Sequence, residues 1–365
     1  MGHKKQEPRI LVSRNPESQN QEPRISEARK IAALRARLLN WYTQNKRDLP
    51  WRKSRNPYAI WISEIMLQQT RVAAVIERYT AFMERFPTVE ALAEAAEEDV
   101  LALWSGLGYY RRARMLHKAA RVVAAEFGGK LPLTAEELRA LPGIGSYTAA
   151  AIASIAHGEH VAVVDGNVER VLCRVEGWDA VDGGAALKRR IDALAASLVD
   201  PARPGDFNQA MMELGAVVCT PRSPQCLICP LFRDCTTHGE HKTQVRAPMV
   251  SREIGHALCL RGGEVLLERR PDEMAVMAGM WELPALLEAT FDEEHLRMTV
   301  RHAIMQVNYS VRIRHVSEDD LKKLTIANGE RRWVAVDEAH GMALTGLARK
   351  VLKRAQLFTD ATVAP

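Results

Sequence analysis

Leu141-Pro142-Gly143-Ile144-Gly145-Ser146-Tyr147-Thr148-Ala149-Ala150 is the stretch on which the reading of the fold turns. Just upstream, Thr134 with Glu137 has the spacing of a capping box and starts a short helix. Leu141-Pro142-Gly143 stops that helix, and a new one begins near Ser146. The two glycines can adopt backbone conformations closed to other residues. Their N–H groups, with the helix N-terminus that follows, can point at a phosphate. Such a contact grips a nucleic-acid backbone without reading its sequence. A tight turn between two core helices looks the same, so the hairpin alone leaves both readings open.

Outward from the hairpin, the chain from about Ala28 to Ser197 reads as helices. Ile31, Leu34, Leu38 and Trp41 recur at helical spacing. A second stripe runs through Ile62, Ile65, Met66, Val72, Val75, Ile76 and Tyr79, and Ala-rich segments follow at 89–103 and 112–127. Residues 1–27 are polar and read as a disordered tail. Residues 238–252 lack periodicity and read as a linker. Beyond it the texture changes. Ile254–Leu260 is strand-like, Arg261-Gly262-Gly263 is a turn, and Glu264–Arg270 is a second strand. Val307–Val316 and Arg332–Val336 are further strand candidates, with a closing helix at 344–357. The expected organisation is multidomain, with a helical domain over 28–237 and a separate α+β domain over 253–358.

Composition sets bounds without choosing a function. With 365 residues, 47% apolar and 26% charged, the chain is an ordinary globular protein of two or three domains. No run of about 18 apolar residues exists, so no membrane span is expected. The polar start has no apolar core segment, so the expected location is the cytoplasm. The net charge of +5 is a weak clue, because seven Lys/Arg against four Asp/Glu fall in residues 1–30, leaving 43 against 41 in the rest. Any nucleic-acid reading must rest on local charge.

Four of the six cysteines form a C-x6-C-x2-C-x5-C pattern at Cys219, Cys226, Cys229 and Cys235. In a cytoplasmic chain this spacing reads as metal or cluster ligation. Zinc sites usually pair two CxxC knuckles, whereas one CxxC followed by Pro230 suits a [4Fe–4S] cubane better. Arg222, Arg233, Lys242 and Arg246 make a basic apron around the loop. Cys173 and Cys259 sit alone in apolar runs and read as core. Val161–Val164 ends in Asp165-Gly166-Asn167-Val168. A carboxylate there either caps the helix starting near Val168 or stands at the edge of buried structure ready for chemistry. Glu64 is flanked by Ile62, Ile65 and Met66, where desolvation would raise its pKa; the alternative is a helix-surface carboxylate.

The order of hairpin, aspartate and four-cysteine loop resembles the endonuclease III superfamily of base-excision glycosylases. Asp48-Leu49-Pro50-Trp51-Arg52, Trp61–Thr70, Gly106-Leu107-Gly108-Tyr109-Tyr110 and Val164–Val168 narrow the resemblance to MutY-type adenine DNA glycosylases. It is dense over residues 28 to about 237. It is weaker over 253–355, where Met280-Trp281-Glu282-Leu283-Pro284 looks like that family's Nudix-related domain. The fold implied is an all-α helix-hairpin-helix glycosylase domain with a [4Fe–4S] loop, followed by an α+β Nudix-like domain. The activity implied is excision of adenine opposite 8-oxoguanine or guanine in double-stranded DNA, by a monomer acting on the bacterial nucleoid.

The resemblance also implies roles. Glu64 protonates adenine at N7, and Asp165 stabilises or traps the sugar cation, with Tyr147 and Asn167 in support. Gln69 and Tyr109 fill the gap left by the flipped base. Leu49, Trp51 and Arg52 line the adenine pocket with Arg47 nearby. Thr70, Leu107 and Glu213 belong to the same surroundings, and Gly143 and Gly145 hold the backbone. Lys46, Arg47, Arg52, Arg111, Arg112 and Arg114 can neutralise phosphates. Bifunctional lyases of the superfamily carry a Lys where this chain has Tyr147, so no strong β-lyase activity is expected.

Two departures stand out. In the stretch just after Pro284 the only glutamates are Glu288, Glu293 and Glu294, without the flanking glycines of a Nudix metal helix, so no pyrophosphate hydrolysis is expected. Ile304-Met305-Gln306 stands where the family reads 8-oxoguanine through Phe-Ser-His, so discrimination of the opposite base is expected to be weaker. The competing readings are a glycosylase for another mispaired base and a catalytically silent iron–sulfur DNA-binding or redox protein.

Overall fold

The computed structural model describes residues 21–179, 184–241, 248–274, 276–286, 296–304, 306–324 and 329–358. Expectations for residues 1–20, Lys242, Arg246, Glu288, Glu293, Glu294 and Met305 lie outside them. The helices run in order as α1 (Gln21–Asn45), α2 (Pro57–Leu67), α3 (Val72–Arg85), α4 (Val89–Glu94), α5 (Glu97–Leu103), α6 (Arg111–Glu126), α7 (Ala135–Leu138), α8 (Ser146–His157), α9 (Gly166–Glu176), α10 (Ala185–Leu198) and α11 (Pro204–Val217). Two compact units result: Met1–Lys46 with Ala162–Lys242, and Arg47–Val161 with Thr243–Pro365.

The first unit packs α1, α9, α10 and α11. Leu34, Leu38 and Tyr42 meet Val171, Leu172, Ile191, Phe207 and Leu214 in its core. The stripe read from sequence on α1 is therefore the buried one, and the helix starts earlier than expected, at Gln21. Pro23 near its start is compatible with a first turn, where no backbone N–H is needed. Two helices approach so closely that a Cβ on Gly215 would lie 2.6 Å from Asn167 Cβ. Only glycine fits there, and the contact fixes Asn167 against α11.

The second unit is built around α2. Asn56 accepts hydrogen bonds from Tyr58 N and Ala59 N, Pro57 opens the helix, and residues Tyr58 to Met66 are all buried. A helix apolar on every side belongs in a core, and Trp61, Ile62 and Met66 join Phe82, Trp104, Leu116 and Ile152 there. The Thr134–Glu137 capping box is present. The helix it starts ends at Leu138, three residues before the expected stop, because Ala140 and Leu141 close by i→i−3 turns ahead of Pro142.

The same unit carries the strands. β1 (Val250–Leu258), β6 (Val307–His315) and β5 (Leu296–Ile304) form one sheet, with β1 parallel and β5 antiparallel to β6. β2 (Leu260–Arg261), β3 (Glu264–Arg269), β4 (Trp281–Glu282) and β7 (Arg331–Ala335) form a second, antiparallel one. Helices α12 (Glu318–Leu324), α13 (Val336–Gly341) and α14 (Gly346–Arg354) complete it. The helical and sheet parts share contacts. Met280 and Ala343 enter the α2 core, Tyr110 Oη donates to Leu344 O at 3.2 Å, and Arg349 Nε donates to Ser105 Oγ at 2.7 Å. Among the described residues no helix is long and apolar enough to cross a membrane.

Candidate active site

In the second unit α2 presents Glu64 on its third turn. The residue is 6% exposed, and its Oε2 accepts a hydrogen bond from Tyr147 Oη at 2.8 Å. Tyr147 stands on the first turn of α8, so the hairpin delivers it. Gln68, at the end of α2, donates through Nε2 to Thr148 Oγ1 at 3.1 Å, which ties the same two helices again. The helix-surface alternative for Glu64 is therefore not what forms. At the hairpin, Gly143 has φ +75°, and a Cβ on it would lie 2.6 Å from Met115 Cβ, so both conformation and space call for glycine. Gly145 has an ordinary φ of −88° and stands at the N-cap of α8.

An open cavity of about 870 Å³ is lined by Gln69, Tyr109 and Gly143 on the helical side and by Met277, His302 and Ile304 on the sheet side. Gln69 and Tyr109 both hold positive φ, 55° and 50°, in a region side chains rarely adopt. Thr70 Oγ1 donates to Leu107 O at 3.3 Å, so the turns carrying the two residues touch. Leu49 and Trp51 are core residues, Trp51 meeting Tyr79 edge-on at 5.4 Å. Arg52 Nη1 donates to Arg47 O at 3.2 Å.

Two arginines expected at phosphates are engaged elsewhere. Arg114 pairs with Glu97 at 2.8 Å. Arg112 turns inward and spends both Nη groups on protein acceptors, among them Ile65 O at 2.7 Å and Thr70 Oγ1 at 3.0 Å. Burial lowers its pKa to about 10, which leaves it charged at neutral pH. Arg112 lies three and four residues before Met115 and Leu116, on the face of α6 that turns inward.

In the first unit Asp165 is the N-cap of α9. Its Oδ1 accepts from Asn167 N at 2.9 Å and Val168 N at 2.7 Å, and its Oδ2 accepts from Asn167 Nδ2 at 2.8 Å. Asn167 Oδ1 in turn accepts from Arg170 Nη2 at 2.8 Å. Arg170, its pKa lowered by burial, also donates to Gly215 O and Cys219 O. Glu213, on α11, is 1% exposed.

Cys219, Cys226, Cys229 and Cys235 line one small cavity with the buried Arg174. Arg174 Nη1 donates to Cys219 Sγ at 3.3 Å and also to Thr220 O. Burial pushes the Cys229 thiol up to about 11. Among the described residues no three His, Cys, Asp or Glu side chains gather tightly enough to grip a single metal ion. A zinc tetrahedron with bonds of about 2.3 Å needs its sulfurs about 3.8 Å apart.

Comparison with known proteins gives the family at two levels. Residues 62–196 match the HhH-GPD superfamily of base excision DNA repair proteins. A solved thymine-DNA glycosylase superposes with a TM-score of 0.54 at 30% identity, over 58% of this chain and 98% of that one. Human adenine DNA glycosylase is 37% identical over 88% of this chain and 74% of its own length. The rat enzyme of the same name is 54% identical over 59% of this chain, which spans only 43% of that protein. The chain belongs to the adenine DNA glycosylase family and is a DNA glycosylase of base-excision repair.

Proposed function

We propose that the chain excises adenine mispaired with 8-oxoguanine or guanine in double-stranded DNA, as a monomeric, monofunctional glycosylase at work on the nucleoid. One observation carries this reading above others: a buried Glu64 carboxyl held 2.8 Å from the Tyr147 hydroxyl on the hairpin's second helix. Adenine is a poor leaving group until protonated, and the sugar left behind is a cation. A carboxyl group out of water keeps its proton more readily, so Glu64 delivers it to N7. In this reading Asp165, held by three donors at a helix N-terminus, stabilises or traps the sugar cation, and Asn167 orients it. Tyr147 offers no amine at the position where lyases carry Lys, so strand scission is not part of the reaction.

In this reading Gln69 and Tyr109 fill the vacated stack, and Gly143 and Gly145 hold the backbone. Arg47, Arg52, Thr70, Leu107 and Glu213 surround the base and its strand, with Leu49 and Trp51 packed behind them. The four cysteines fit a [4Fe–4S] cluster in donor chemistry: four thiols share one cavity, with a guanidinium against Cys219. When bound, that group supplies a four-point crosslink of the loop. The glycosylase domain then spans 28–237. A Nudix-like domain expected at 253–358, whose first strand already begins at Val250 inside the expected 238–252 linker, lines the opposite-base side without hydrolysing pyrophosphate.

The test incubates the protein with duplexes carrying adenine opposite guanine, adenine opposite 8-oxoguanine and thymine opposite guanine. Breaks at adenine that appear only after alkali are the expected result. Breaks at thymine favour another base on the same scaffold, and none at any base would leave a silent DNA-binding protein.

A further inference from the structure

Two separate turns carry Gln69 and Tyr109, and one side chain ties both. Arg112 Nη1 donates to Ile65 O, to Met66 O at 3.1 Å and to Gln68 O; Nη2 donates to Thr70 Oγ1, to Leu107 O at 3.1 Å and to Gly108 O at 3.2 Å. Two of these acceptors are end carbonyls of α2, which have no helical partner of their own and carry the negative end of its dipole. Gln68 O and Gly108 O stand immediately before the two residues with positive φ. The Arg112 guanidinium also lies 5.4 Å from the Tyr109 ring centroid and 5.5 Å from that of Trp104. Trp104 Nε1 donates to Gly108 O at 3.1 Å, bracing the second turn from its other side.

The geometry points to Arg112 as the positioning residue that sets Gln69 and Tyr109 in one fixed pose, ready to enter the duplex as a pair. The inference rests on the reading above that these two residues fill the gap in the stack. Left-handed backbone at a residue with a side chain persists only where its surroundings over-determine it. Here one planar cation supplies that constraint to both turns at once. A lysine, whose three donors sit on one atom, cannot span six acceptors in two turns. With the pose set in advance, opening the duplex does not also have to order the wedge. Arg112 thus acts on base extrusion rather than on bond cleavage.

Extrusion and excision separate experimentally. Fluorescence of 2-aminopurine beside the target adenine and single-turnover excision are measured for Arg112→Lys, Thr70→Ala, Tyr109→Ala and the Arg112→Lys/Tyr109→Ala double variant. Each meets a duplex with adenine opposite 8-oxoguanine and one with adenine unpaired in a bulge. Arg112→Lys is expected to slow both readouts roughly tenfold or more on the paired duplex, the scale of losing charge-assisted hydrogen bonds. The loss should shrink on the bulged adenine, where little stacking must be broken. Thr70→Ala should act in the same direction and less, and Arg112→Lys should add little once Tyr109 is gone. Equal losses on both duplexes, or additive effects in the double variant, overturn the inference. If Arg112→Lys does not fold, Thr70→Ala decides: a loss confined to the paired duplex supports the inference, and an equal loss or none overturns it. If Tyr109→Ala extrudes and excises normally, the wedge reading itself fails. If Tyr109→Ala is impaired while Arg112→Lys and Thr70→Ala are not, only the role of Arg112 fails.

Discussion

Replacing Asp165 with Asn separates the chemistry of that position from its structural duty. Asn serves as an N-cap about as well as Asp, so its oxygen can keep the bonds from Asn167 N and Val168 N. Its amide would then face Asn167 Nδ2 across a contact that is now 2.8 Å, donor to donor. Turning the Asn167 amide over does not relieve this, because its NH2 would then face Arg170 Nη2, which now donates to Asn167 Oδ1. The conflict moves one residue along and leaves one donor unpaired. At a half-buried position that costs about 1 kcal/mol, the low end of the usual range. For a unit of this size the melting midpoint should fall by about 2–4 °C. Excision should fall far more, by about 10²–10³-fold or beyond, since the anion facing the sugar cation is gone. Single-turnover excision after alkali, binding to a duplex with an uncleavable adenine analogue, and a thermal melt together test this. Wild-type excision by Asp165→Asn refutes the catalytic assignment. A midpoint lowered by more than about 8 °C would trace the lost activity to the cap instead, and refute it equally.

Three further outcomes are expected. Gly143→Ala must adopt φ +75° and push a methyl to within 2.6 Å of Met115 Cβ; strain and overpacking together should destabilise by about 2–4 kcal/mol, with weaker DNA binding at matched and mispaired sites alike, read by melting and by titration. Cys226→Ser should lower bound iron from roughly four per chain and abolish the cluster's visible absorption, with a lower midpoint. The ratio of dissociation constants for uncleavable adenine opposite guanine and opposite 8-oxoguanine should be small, and restoring Phe, Ser and His at Ile304, Met305 and Gln306 should enlarge it; a large ratio in the unaltered chain contradicts the reading.

Much of the scaffold was legible because local chemistry and tertiary packing agree. The capping box at Thr134, the stripe on α1 and the apolar run of α2 each fold as their spacing says. The sequence reading leaves β5 out: Leu296, Met298, Val300, His302 and Ile304 alternate with exposed Arg297, Thr299, Arg301 and Ala303, but a polar His302 on the inner face and an apolar Ala303 on the outer one blur the period in a short window. The division into units was not legible. The helical run from 28 to 197 shows no break at Lys46 or Val161, yet the chain changes unit at both. Which residues share a core is set by long-range contacts that composition does not mark. Arg112 shows the same limit, since a cation in Arg111-Arg112-Ala113-Arg114 reads as surface until a neighbouring helix end supplies bare carbonyls to receive it.

Asp165 shows why the bland and the sharp readings of a residue need not compete. Asp165 is the N-cap of α9. A cap is also a carboxylate whose orientation is fixed by backbone N–H groups and whose anion is supported by a helix dipole. Those properties suit an anion that must meet a short-lived sugar cation without first reorienting. The same geometry explains the neighbours. Gly215 lets α11 press against Asn167. Asn167 is then held from both sides, by α11 and by Arg170, and its amide can only face Asp165 with its nitrogen. Stability of the helix start and readiness for chemistry therefore rest on one set of hydrogen bonds, and a substitution that spares one, such as Asp165→Asn, is the instrument that tells them apart.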